Sequence, residues 1–209
     1  MIPATLDDQV LGDAVDELAS RDDDLRAIVA RHGRPPLWSR EPGFATLVRI
    51  ILEQQISLSS AQAAYDRLEQ VAGEVEPMAL LELGGAGMRA VGQTRQKSRY
   101  LTALAEAITS GGLDLDALER ADEEEVSAKL MAVLGIGRWS ADIYLLMALR
   151  RPDVWPSGDI ALAAAMRAVK GLPARPGPDR MVALAEAWRP WRAAAARLLW
   201  HAYLSGDRG

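Results

Sequence analysis

The sequence contains no cysteine and only two histidines, His32 and His201. Disulfides, a thiol nucleophile, a Cys-bound iron–sulfur cluster and a Cys-type zinc site are therefore excluded, and a His-rich metal site has too few ligands. Any chemistry must come from carboxylates, hydroxyls, amines or the backbone. Long apolar runs are missing too. No window approaches the ~18 continuous apolar residues of a membrane span, and Met1–Leu11 lacks the basic start and apolar core of a signal peptide. A cytoplasmic protein with no membrane partner is expected. β-Branched runs are scarce and aromatics are few apart from six Trp, which leaves Ala, Leu and Arg to set the pattern. Those residues favour helix almost everywhere, and the predicted fold is all-α.

The net charge of −5 at first sight disfavours a nucleic-acid partner, whose phosphates call for a basic surface. The charge is segregated, however. Residues 1–125 carry 23 acidic and 12 basic residues, and residues 126–209 carry 6 and 12. A basic face on the C-terminal half is compatible with this asymmetry, and so is ordinary solvated surface charge.

At 209 residues the chain can bury a substantial core, as one domain of two small lobes sharing a helix. Asp7–Arg31 reads as one or two helices stopped by His32-Gly33-Arg34-Pro35-Pro36. Phe44–Gln55 reads as a buried helix, and Ser57 or Ser59 caps the next one, to about Val71. Short helices at Pro77–Leu83 and Met88–Val91 flank a glycine break. Thr94 caps a helix of about Arg95–Thr109, and Asp114–Arg120 forms a short one. From Asp122, a helix of about Glu123–Val133, the turn Leu134-Gly135-Ile136-Gly137 and a helix of about Arg138–Leu149 form a helix, hairpin and helix. A Gly/Pro-rich loop, Arg151–Gly158, then delivers Asp159 to the start of a helix running to Lys170. Two further helices, about Asp179–Trp188 and Trp191–Leu204, are separated by Pro190.

Gly135 and Gly137 let the chain bend sharply and aim backbone N–H groups at one point beside the positive charge of Arg138, an arrangement that suits a phosphate. A plain interhelix turn would use the same glycines. Asp159 is equally two-sided: aspartate is a favoured helix N-cap, and a carboxylate at a helix start is also well placed for chemistry, its negative charge favoured there.

Context links these features. Leu130-Met131-Ala132-Val133-Leu134-Gly135-Ile136-Gly137-Arg138-Trp139-Ser140-Ala141-Asp142, followed seventeen residues later by Asp159, resembles the helix-hairpin-helix DNA glycosylase superfamily. Ile51–Ser57, Gly92–Lys97, Pro152–Pro156, and Trp188–Arg192 through Leu199-Trp200 resemble its 3-methyladenine DNA glycosylase II branch. The matching blocks cover roughly Phe44–Tyr203, and the chain resembles the compact form without the N-terminal β-rich domain of some relatives.

The resemblance implies a monofunctional glycosylase that flips an alkylated purine out of duplex DNA and hydrolyses its glycosidic bond in base excision repair. Asp159 matches the carboxylate that stabilises positive charge on the sugar. Trp139 stands where strand-cutting relatives place a Schiff-base lysine, and Lys129, ten residues earlier, does not match that position, so no lyase activity is expected. Trp139 and Trp200 match aromatics of the base pocket, where cation–π attraction favours cationic bases. Gln54-Gln55-Ile56-Ser57 matches the segment entering the minor groove, with Gln55 at the wedge position where relatives carry leucine. Gly135, Gly137, Arg138, Ser140 and Lys97 are candidate DNA contacts, although Arg95, Lys97 and Arg99 are phosphate contacts or simply the exposed face of a helix. The main-chain carbonyls of Met131, Val133 and Ile136 match a site for a monovalent cation, sodium or potassium. No cofactor is required, and a monomer acting on damaged double-stranded DNA is expected.

Two other readings remain open on sequence. Ile143, where some relatives carry tyrosine, keeps a neutral lesion such as hypoxanthine, ethenoadenine or uracil in play as substrate. A non-catalytic hairpin module that binds DNA is the other, and Asp159 with Trp139 and Trp200 disfavours it.

Overall fold

The structure, a computed structural model, describes residues 3–206. Every regular element among these residues is helical: α1 Asp8–Arg21, α2 Asp23–His32, α3 Phe44–Glu53, α4 Leu58–Ala72, α5 Pro77–Ala90, α6 Arg95–Thr109, α7 Leu115–Arg120, α8 Glu123–Met131, α9 Arg138–Met147, α10 Ile160–Val169, α11 Pro178–Ala185 and α12 Arg192–Leu204, with a 3-10 turn at Glu186–Trp188. The all-α expectation holds. No helix among the described residues is long and apolar enough to cross a membrane.

Local chemistry sets most helix starts. The side chains of Ser57, Thr94, Asp114, Asp122 and Asp159 accept N–H bonds in the first turns of α4, α6, α7, α8 and α10, satisfying donors that a helix start leaves unpaired. The two short helices expected around the 84–87 glycines run together as α5, kinked at Gly84, whose φ of 64° is not helical. The hairpin helices are shorter than expected: α8 stops at Met131 and α9 at Met147.

The chain divides into two compact units. The first comprises Arg40–Tyr144. Its centre is α3, which buries Phe44, Leu47, Val48, Ile50, Ile51 and Leu52 against α4 and α6, with α5 packed on α6. A helix apolar on nearly all sides is stable only when enclosed in this way.

The second unit is built from the chain's two ends, up to Ser39 and from Leu145 onward. Here α12 is the enclosed helix, in contact with α1, α2 and α10. Its run Ala193–Ala196 is buried, and such small side chains permit close helix approach. Arg197 is fully buried among them. Its guanidinium donates to the carbonyls of Leu37 (2.7 Å), Leu146 (2.7 Å) and Ala193 (3.1 Å), and burial lowers its pKa to about 10. One cation thus joins three backbone segments.

A second cation fixes α10. Lys170, at the C-terminal end of that helix, donates to both carboxylate oxygens of Asp22 (2.9 and 2.8 Å) and to Asp24 (2.8 Å), while Trp188 Nε1 donates to Asp22 Oδ2 at 2.7 Å. Burial alone would raise the Asp22 pKa, but the bonds from Lys170 and Trp188 outweigh it and hold the value below the ordinary range.

Candidate functional site

The loop entering α10 is braced at Asp153. Arg189 reaches Asp153 Oδ2 at 2.6 Å, and Arg192 reaches Oδ1 at 2.8 Å and the Asp153 carbonyl at 2.7 Å. The blocks Pro152–Pro156 and Trp188–Arg192, far apart in sequence, are therefore one structure, linked by charge-assisted bonds. Trp155 lies 5.4 Å from Trp188, ring to ring, and its buried Nε1 has no hydrogen-bond partner among the described residues. The chain then turns through an Asp159 N–H bond to the Pro156 carbonyl.

Asp159 emerges from this loop half-buried. Its Oδ1 accepts the Leu162 N–H at 2.7 Å and the Trp200 indole N–H at 3.2 Å. The N-cap reading of Asp159 is thus correct, and the same oxygen is also tied to one of the two expected aromatics. Trp200 itself is mostly buried on α12, whereas Ile160, next to Asp159, is exposed at 70%.

In the Arg40–Tyr144 unit the hairpin closes with Ile136 N–H on the Val133 carbonyl and Ala141 N–H on the Gly137 carbonyl, both 3.1 Å. The latter is the first intrahelical bond of α9, so the earlier N–H groups form its N-terminal pole. The two glycines differ in kind. Gly135 has φ 95°, and a Cβ there would lie 2.2 Å from the Tyr100 ring; a Cβ on Gly137 would meet nothing within 4 Å. Arg138 is exposed and pairs with buried Asp142, one turn on along α9, at 2.8 Å. Ser140 is only 2% exposed; its hydroxyl accepts from Gln54 at 2.9 Å, which leaves its O–H hydrogen free to donate. Trp139 is half-buried. Lys129 pairs with Glu125 one turn away on α8 at 2.7 Å.

The Gln54-Gln55 segment follows α3. Gln54 Nε2 donates to the Gly135 carbonyl at 2.8 Å as well as to Ser140. Gln55 is exposed, with a left-handed φ of 61°. Arg40 forks onto Glu53 at 2.7 and 3.1 Å. Lys97 is half-buried and donates to the Leu52 carbonyl, a cation at a helix C-terminus; burial lowers its pKa. The head group expected at a phosphate is thus turned toward α3, while Arg95 and Arg99 on the same helix are exposed.

The basic surplus after residue 125 is not a continuous free face. Arg189 and Arg192 are bound to Asp153, Lys170 to Asp22, and Arg197 is interior. Sequence reasoning missed Asp153, Arg40, Tyr100 and Arg197; only tertiary pairing reveals them.

The chain is 28% identical over 184 residues to YfjP of Bacillus subtilis, covering 84% of this chain and 64% of that protein. It is 30% identical over 165 residues to DNA-3-methyladenine glycosylase 1 of Schizosaccharomyces pombe, covering 77% and 72%. The chain thus spans about two thirds of the length of these curated relatives. The solved structure of S. pombe 3-methyladenine DNA glycosylase Mag1 in complex with abasic DNA superposes with a TM-score of 0.87 at 28% identity, over 94% of this chain and 99% of that one. With residues 48–192 matching the family's sequence pattern, the chain belongs to the HhH-GPD superfamily of base excision DNA repair proteins.

Proposed function

We propose that the protein is a monofunctional DNA glycosylase that flips alkylated purines of the 3-methyladenine and 7-methylguanine type out of duplex DNA and hydrolyses the N-glycosidic bond, leaving an abasic site. One observation carries the reading above others. Asp159 is a half-buried carboxylate whose Oδ1 is fixed by Leu162 N–H and the Trp200 indole, so its charge is placed by the fold before substrate arrives.

Bond cleavage builds positive charge on the deoxyribose, and a preorganised anion stabilises that charge without reorganising. Asp159 also orients the attacking water. N3- and N7-alkylated purines are cationic and leave readily, so no strong general acid is needed. The ring of Trp200, bonded through its indole N–H to Asp159, is assigned to the base, where cation–π attraction of about 0.5–2 kcal/mol favours the alkylated form. Trp139 in place of an amine gives hydrolysis without strand cleavage. Gly137 and the first turn of α9 take a phosphate, with Arg138 beside them, and Gln55 fills the gap in the duplex.

Among the described residues no group of three His, Cys, Asp or Glu could hold a metal. The uncharged carbonyls of Met131, Val133 and Ile136 suit only a weakly held monovalent ion, and the Val133 oxygen keeps one lone pair after accepting Ile136 N–H. An ion there supplies positive charge to the turn.

The names of the relatives support alkylpurines as substrate. Incubation with randomly methylated DNA should release 3-methyladenine and 7-methylguanine, and duplexes with hypoxanthine, ethenoadenine or uracil should be processed much more slowly. Asp159→Asn should bind lesion duplex and release no base above spontaneous depurination; an unchanged single-turnover rate rejects the assignment.

A further inference from the structure

Gln54 occupies an unusual position between two surface elements of the Arg40–Tyr144 unit. A glutamine amide nitrogen has two hydrogens, and here it serves two acceptors on the hairpin, the Gly135 carbonyl at 2.8 Å and Ser140 Oγ at 2.9 Å. The residues before it are held as firmly. The Leu52 carbonyl takes the Lys97 ammonium, and Glu53 takes the Arg40 fork. Gly135 is confined from its other side by the Tyr100 ring. What emerges from these restraints is Gln55, exposed and left-handed, a backbone state that persists only when the surroundings over-determine it.

We infer that Gln54 is a positioning residue and not a DNA contact: its amide locks the loop presenting Gln55 to the turn presenting Gly137 and Arg138, so that both meet DNA as one preset surface. The roles of Gln55 and the hairpin rest on the proposed glycosylase reading, but the lock belongs to the free protein. Its benefit is entropic, since a loop ordered beforehand loses less freedom on binding.

The test uses Gln54→Met, which keeps volume and removes both bonds, and Ser140→Ala, which removes one. In the free protein, hydrogen exchange at the amides of residues 55–57 and 135–140 should quicken about tenfold in Gln54→Met, as expected for losing bonds of ordinary strength. A smaller increase, confined to the hairpin, is expected in Ser140→Ala. Unchanged exchange in both variants overturns the inference, because a residue acting only by touching DNA leaves the free protein as it was. Global loss of protection in Gln54→Met transfers the decision to Ser140→Ala.

The second readout is affinity for a duplex containing an abasic site. Gln55→Ala should weaken binding in the wild-type background and do so much less in the Gln54→Met background. Additive losses show that Gln54 does not act through Gln55 and overturn the proposal; a merely structural role would leave the Gln55 effect unchanged. Should the wild-type protein fail to bind abasic duplex at all, the glycosylase reading falls, and the exchange result alone decides the lock.

Discussion

Trp200 and Asp159 share a hydrogen bond, indole N–H to Oδ1 at 3.2 Å, on the same oxygen that caps α10. Trp200→Phe keeps an aromatic ring but removes that donor along with part of the indole face. A bond to a charged acceptor contributes about 1.5–3 kcal/mol, so single-turnover base release should slow at least tenfold, a larger effect than the loss of lesion-duplex affinity expected from the smaller ring. An unaltered rate would show that the Trp200 donor is not needed to hold the carboxylate.

The two hairpin glycines should separate fold from function. Gly135→Ala meets both a left-handed φ and the Tyr100 ring, which should cost about 3 kcal/mol and lower the Tm by roughly 6–12 °C. Gly137→Ala faces open space and should leave the Tm unchanged while weakening DNA binding, because the new methyl would stand where the proposed function places a phosphate. Calorimetry and a binding titration on both variants check the pair.

Arg197→Met removes the donor serving Leu37, Leu146 and Ala193 and leaves buried carbonyls short of partners. Destabilisation of ~3 kcal/mol or more is expected, measured by urea unfolding. Lys should not rescue it, since an ammonium cannot span the three directions of a planar fork.

The Asp22–Lys170 clamp predicts a pH dependence with opposite signs at its ends. Asp22 has a folded pKa below its ordinary value, so its contribution is present above that ordinary value and is lost as pH falls through the folded one. For Lys170, burial would lower the pKa, but bonds to Asp22 and Asp24 raise it. Its contribution is therefore full below the ordinary lysine value and disappears as pH rises through the higher folded one. Lys170→Met should be less stable than wild type near neutrality, with the gap narrowing in acid below about pH 4 and again in strong alkali.

Helix starts were legible because capping is local: Thr94, Asp122 and Asp159 each announce a helix within three residues. The glycine turn and its aspartate were legible for the same reason. What joins them was not. Asp153 meets arginines 36 and 39 residues away, Gln54 meets a carbonyl 81 residues on, and Arg197 reaches across 160 residues to Leu37. No periodicity or motif encodes such partners. The charge asymmetry does not reveal such pairings either: several late basic residues neutralise carboxylates or hold interior carbonyls.

The left-handed backbone at Gln55 also constrains how the protein could diversify. Valine, isoleucine and threonine tolerate that conformation poorly, whereas glycine, asparagine, aspartate and histidine enter it more readily. A library at this position should therefore retain the loop mainly with unbranched and small polar choices, and a branched substituent would succeed only alongside a second change that reshapes the loop.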